Sequence, residues 1–362
     1  MILPFVRDVL AGVEQTPSFK RAATHLRGRA GRIRVTGLTE TAKALHIPLF
    51  AHAASSPLII VVANNRAAEA MLPQLRAFAE LTGAVTLEQI VTLPAHDVLP
   101  FENLSPHPEI QEERAATLWK IVSGEARIVI APLESAAMRL HDSDFYAQLV
   151  RTVRKGETLD TEELIRHLNS VGYTPADVVE MQGQHALRGG IFDVYPPEAD
   201  RPLRIELFGD EIETIRKFDP NTQRSLNAGS VDELTLLPFS EIPVSEEILG
   251  AIHARLSQSR VRGVEDQIAD ALVETGVAVF PGWEFYAAIA GANQTLFDLM
   301  PNALVLVDEP SAVRAENEKW WEKVVNAHER SGVGNLLRPE QIYLPFDDFV
   351  ARVSASGGAY VE

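Results

Sequence analysis

Cysteine is absent from all 362 residues. That excludes disulfides, thiolate metal sites and a cysteine nucleophile, and it accords with a reducing, cytoplasmic setting. No run approaches the ~20 apolar residues that a membrane span needs, so no membrane partner is expected. The first residues, MILPFVRDVLAGVEQ, hold acids at Asp8 and Glu14 and lack a basic leader or a small-residue cleavage site, so no signal peptide is expected. Positive charge is scarce: 33 basic residues against 50 acidic ones leave a net charge of −17. A protein that grips duplex DNA by neutralising phosphates ordinarily shows the reverse balance. Catalytic signatures are missing too. There is no G-x-S-x-G elbow, no H-E-x-x-H and no histidine pair at metal spacing, and His96-Asp97 has no nucleophile beside it. Elimination points to binding, with no catalytic or metal-ligating residue assigned.

What is present is an ordinary globular composition. Hydrophobic residues make up 46%, and the length suffices for two or three domains with sizeable cores. One basic island interrupts the acidic background. SFKRAATHLRGRAGRIR, Ser18 to Arg34, carries Lys20, Arg21, Arg27, Arg29, Arg32 and Arg34 without an acid. It reads either as a nucleic-acid contact or as a solvated face. The solvated face is favoured, because Phe19 and His25 are its only rings for stacking on bases.

From about Ile33 to Leu140 the pattern alternates strand and helix. PLIIVVA (Pro57 to Ala63) is the continuous apolar run of a strand buried on both faces. NRAAEAMLPQLRAFAELTG reads as a helix stopped by Gly83, and ARIVIAPLESAAMRL repeats strand then helix. Parallel strands joined by helical crossovers define an α/β domain. A proline-rich loop, Leu93 to Arg114, precedes the helix holding Leu118 and Ile121.

Two short stretches resemble parts of a nucleotide site. RVTGLTETAKAL keeps the spacing of G-x-x-x-x-G-K-[ST] from Gly37 to Lys43, but Ala42 replaces the second glycine and Ala44 the magnesium-binding hydroxyl. Glu40 adds a negative charge where phosphates would lie, and no strong strand precedes the loop. NALVLVDEP ends an apolar strand in Asp308-Glu309, as the second ATP motif of helicase-type domains does; an ordinary buried strand with an acidic turn reads equally well. The pair supports an ATPase fold, and the defects predict no ATPase activity.

Around Val150 the texture turns β-rich. Asp160 starts a helix with Glu163 three residues on, Leu164, Ile165, Leu168 and Val171 form its apolar stripe, and Gly172 can close it. GGIFDVYPP is one strand. PLRIELFGDEIETIRKFD is two, turning at Gly209-Asp210. Alternation sends Leu203, Ile205 and Leu207 to one face, and Arg204, Glu206 and Phe208 to the other. The second face mixes opposite charges with a ring, as protein interfaces do; a surface ion pair of little energetic consequence fits as well.

LRGGIFDVYPPEADRPLRIELFGDEIETIRKFDPNTQRSL, Leu187 to Leu226, closely resembles the UvrA-binding domain shared by the repair helicase UvrB and the transcription-repair coupling factors (Mfd). VTGLTETAKAL and LPAHDVLPFENLSPHPEIQEERAATLWKI resemble the coupling factors more than UvrB, whose tyrosine-rich hairpin segment has no counterpart here. The resemblance implies an N-terminal, UvrB-like region: an α/β, degenerate helicase-type (RecA-like) parallel-sheet domain in two segments, 1–146 and 239–362, with an inserted α+β UvrA-binding domain at 147–238. It implies a scaffold that recruits UvrA in nucleotide excision repair, with contacts at Arg188, Arg204 and Glu206 and Phe192 as an apolar neighbour. Gly37, Lys43, Asp308 and Glu309 would be relics of the nucleotide motifs. ATP, magnesium, RNA polymerase and DNA would be handled by regions beyond Glu362, and later domains would mask the UvrA surface. The alternative is a UvrB-type ATP-binding helicase domain. One departure from the family is Thr174-Pro175 after Tyr173, where an arginine often stands.

Overall fold

The computed structural model describes residues 4–29, 31–259, 279–332, 334 and 336–362. The first segment contributes β1 (Arg32–Val35), β2 (Leu58–Val62), β3 (Ile90–Thr92) and β4 (Ile128–Pro132). The middle contributes β5 (Arg151–Arg154), β6 (Thr174–Pro175), β7 (Gln184–Arg188), β8 (Ile191–Val194), β9 (Leu203–Phe208), β10 (Glu211–Phe218), β11 (Ser225–Val231) and β12 (Glu233–Leu236). The last segment returns with β13 (Leu304–Asp308) and β14 (Gly358–Val361). The protein is thus mixed α/β, with a parallel-sheet core and antiparallel sheets beside it.

The parallel sheet has the order β1-β14-β13-β2-β4-β3, so strands from both ends of the chain interleave. Every residue of β2 is fully buried, as its unbroken apolar run requires; each such side chain contributes roughly 1.5–3 kcal/mol. The helices Glu40–Ala54 and Asn65–Thr82 cover one face, and Leu58, Ile60 and Val62 point to them. Ile59 and Val61 point to the other face, where the helices Pro310–Ser331 and Phe346–Ala355 contribute Val313, Phe349 and Val353. Gly358 fits β14 between its neighbours: at φ 134 a Cβ would stand 2.1 Å from the Val305 carbonyl oxygen, a distance no side chain tolerates.

Two local expectations need correction. A strand does precede the Gly37 stretch: β1 is short and arginine-rich, and parallel pairing with β14 makes it a strand. The proline-rich loop also ends earlier than expected. A helix begins at Pro108, where proline at the first turn loses no intrahelical bond, and Arg114 lies inside it.

The middle segment enters and leaves through β5 and β12, which pair antiparallel from Arg154↔Glu233 to Arg151↔Leu236. Between them lies a six-stranded sheet, β11-β10-β9-β8-β7-β6, antiparallel apart from β6 with β7. Asp160 caps the helix Thr161–Ser170 by accepting from the Glu163 N–H. Leu164, Leu168 and Val171 then pack on Phe192, Val194, Leu203 and Ile205. Gly209, at φ 64, makes the β9–β10 turn. The apolar face of this sheet is continuous with the core under the parallel sheet, so the inserted module is packed in place rather than tethered.

Candidate functional site: a closed crevice and an open face

The Gly37 and Asp308 stretches follow β1 and β13 and meet at the carboxyl edge of the parallel sheet, the crevice position at which open α/β sheets receive ligands. The residues that would wrap a phosphate are wound into helix. Helix Glu40–Ala54 begins right after Thr39, whose hydroxyl accepts from the Ala42 N–H while its carbonyl takes the Lys43 N–H. Two backbone donors of a phosphate cradle are thereby spent, and Ala44 offers no hydroxyl. Lys43 is buried, with Nζ 2.7 Å from Asp308 Oδ1 and 2.5 Å from Glu309 Oε1. The structure thus brings Lys43, Asp308 and Glu309 together. Burial opposes the charge on Lys43, but both carboxylates outweigh it and hold its pKa above the usual lysine value. Asp308 moves up as well: burial, with Glu309 and Glu40 nearby, outweighs its share of the one cation.

The basic island is largely spent on internal contacts. Arg27 donates to the Ala53 carbonyl, Arg29 to that of Asn302, Arg32 to the Tyr360 hydroxyl, and Arg34 pairs with Glu362. Lys20 and Arg21 are exposed, as are Arg27, Arg29 and Arg34 despite these contacts. His96-Asp97 is also structural. His96 Nε2 lies 3.0 Å from Glu241 Oε1, inside a sealed cluster where Arg114 meets both Glu241 oxygens at 2.6 and 3.0 Å and also donates to the Pro94 carbonyl and Ser135. Burial would raise the Glu241 carboxyl, yet Arg114 and His96 bring it down to about 2. Burial, then Arg114, lower the His96 pKa. Among the described residues, no group of three or more His, Asp or Glu could hold a metal, and no helix is long and apolar enough to cross a membrane.

The module's outward face is different. Register sets Asp193 opposite Arg204, Ile191 opposite Glu206 and Arg188 opposite Ile191. Arg204 forks onto Asp193, Nε to Oδ1 at 2.7 Å and Nη2 to Oδ2 at 2.9 Å, and lies 4.7 Å over the Phe218 ring. Hydrogen bonding to Asp193 outweighs burial and raises the Arg204 pKa. Arg188 Nη2 reaches the same Oδ2 at 2.9 Å, with its side chain 48% exposed. Glu206 accepts from the Thr214 hydroxyl at 2.6 Å. Phe208, 80% exposed, stands at the hairpin tip. Phe192 points the other way, fully buried, stacked on His185; it supports the face from beneath and shows no surface. Thr174-Pro175 is exposed at the edge, as β6. Asp193 escaped the sequence reading, which does place Phe208 on this face. The available signal was one acid in an apolar strand, with arginines on both neighbouring strands.

An antiparallel module with a charged outward face, set into a parallel-sheet domain, is the class these features define. Residues 152–241 match the family described as the UvrB interaction domain. The whole chain is similar to transcription-repair-coupling factors: 29% identical over 337 residues to that of Myxococcus xanthus, covering 90% of this chain and 28% of the relative. Those of Bacillus subtilis and Escherichia coli are each 24% identical, over 91% and 90% of this chain. Both findings bear out the resemblance read from the motifs, to the UvrB-like region of the coupling factors. The chain spans about 28% of the length of these relatives.

Proposed function

We propose that the module is a docking face for UvrA, and that the chain serves as the recruiting scaffold of a transcription-repair coupling factor in nucleotide excision repair. The observation that carries this is the exposed pair Arg188 and Phe208, with half-buried Glu206 between them on one face of the sheet, within the segment that matches the UvrB interaction domain. An aromatic anchor beside opposite charges suits a small, charge-registered interface. The surrounding domain is a degenerate helicase-type (RecA-like) fold. In support, Asp308 ends β13 and Lys43, in the helix that follows β1, pairs with it, with β14 between the two strands. ATP with magnesium does not fit this crevice: Lys43 is already engaged by both carboxylates, whose summed charge exceeds its own and would repel phosphates, and the cradle donors are capped. The segment is therefore without ATPase activity. In the full-length protein, an ATP-dependent translocase acting on DNA and RNA polymerase in the cytoplasm, nucleotide work and the masking of this face belong to other regions.

Calorimetric titration with UvrA tests the reading. Wild type is expected to bind, and Phe208→Ala and Arg188→Ala to weaken binding by about 1–3 kcal/mol each. Arg204→Ala is a poor probe, because it strips a buried carboxylate of its main partner. Wild type that is folded yet silent would overturn the proposal. Magnesium-dependent ATP turnover abolished by Lys43→Ala would favour a UvrB-type ATP-binding domain instead.

A further inference from the structure

We infer that Asp193 is a positioning residue of the docking face, and that Arg188 alone of the two arginines is the group offered to a partner, whose matching group is a carboxylate. This rests on the docking function proposed above and divides labour within it. Asp193 is sealed, its side chain 1% exposed, so it touches no partner itself. Its two oxygens receive three N–H donors, two from Arg204 and one from Arg188. Arg204 is consumed by the fold: 14% exposed, forked onto Asp193, bonded through Nη1 to the Gln223 carbonyl and laid on Phe218. Arg188 gives one donor to Asp193 and keeps the rest of its planar fork at the surface. A guanidinium held at one corner loses less rotamer freedom on meeting a carboxylate, since the ordering is already done. The same carboxylate fixes both arginines, so the position of Arg188 is referred to the sheet rather than to a flexible stem. Lysine at 188 would not serve, because its single nitrogen cannot span Asp193 and an outer acid together.

A double-mutant cycle decides the matter, with UvrA as the probe and thermal melting to verify folding. Asp193→Asn is expected to weaken binding about tenfold in wild type and less than about twofold when Arg188 is already alanine, because the two act through one contact. Asp193→Glu, which keeps the charge but pushes the fork outward, should show the same coupling and covers the case in which the asparagine variant unfolds. Equal losses in both backgrounds would mean a merely structural acid and overturn the inference. Side-chain nitrogen NMR of the free protein is read in parallel. Hindered rotation of the Arg188 guanidinium is expected in wild type and free rotation in the Asp193 variants. If wild type fails to bind UvrA, the docking proposal falls, and the NMR arm still judges positioning: rotation indifferent to Asp193 would overturn it.

Discussion

The crevice and the proposed docking face are built from the same device with the signs exchanged. In the crevice, one buried cation stands between two acids, Asp308 and Glu309. On the face, one buried acid stands between two cations, Arg188 and Arg204. The difference is where the spare valence goes. Lys43 turns its charge inward, so a ligand would have to break a buried pair to enter. Arg188 leaves most of its donors outside, so a partner adds to what exists. A closed triad holds a fold together, and an open one can also recruit.

The closed limit is the Arg114–Glu241–His96 cluster, and the largest effect is expected there. Glu241→Ala leaves Arg114 buried without its carboxylate and should cost about 3–5 kcal/mol in urea unfolding. The same pairing shapes the acid limb. Glu241 has a depressed folded pKa, so its contribution is complete above the ordinary carboxylate value of 4.5 and fades as pH falls toward about 2; Glu241→Gln should flatten that limb.

Lys43→Ala comes next, at about 2–3 kcal/mol near pH 8, because two carboxylates are left facing each other. Its pH dependence has the opposite sign. Asp308 has a raised folded pKa, so the folded state gains protons first, and the variant should recover part of its stability on going to pH 5. Equal losses at both pH values would break the closed-triad reading.

Arg188→Ala and Phe208→Ala should move the melting curve least, by under ~0.5 kcal/mol. They should still lower UvrA affinity by the amounts given above. Should Arg188→Ala destabilise the chain as much as Lys43→Ala, the distinction between open and closed would fail.

Much of the scaffold was legible because it obeys local rules. The apolar run of β2, the Asp160 cap and the Gly209-Asp210 turn each carry their signal within a few residues. What escaped was set by distant pairing. β1 reads Arg-Ile-Arg-Val and becomes a strand only beside Gly358–Val361. Within the nucleotide-like spacing at Gly37, Thr39 is an ordinary N-cap that winds the following residues into helix. Arg188, Arg204 and Glu206 were named as contacts, yet which of them is anchored inward depends on Asp193, and that requires the register of three strands. The parity of β8 alone places Phe192 opposite Asp193, hence in the core.

The placement of β14 has a consequence for synthesis. β1 has β14 as its neighbour on the sheet, and β14 is the last of the described strands to be synthesised. The inserted module, by contrast, has every strand and its β5–β12 neck in hand by Leu236. Domains generally fold as units in the order they emerge. The proposed docking face can therefore be finished while the sheet around it waits, with β1 unpaired until residue 361 appears. A nascent chain stalled between these points would present the binding surface on an incomplete support.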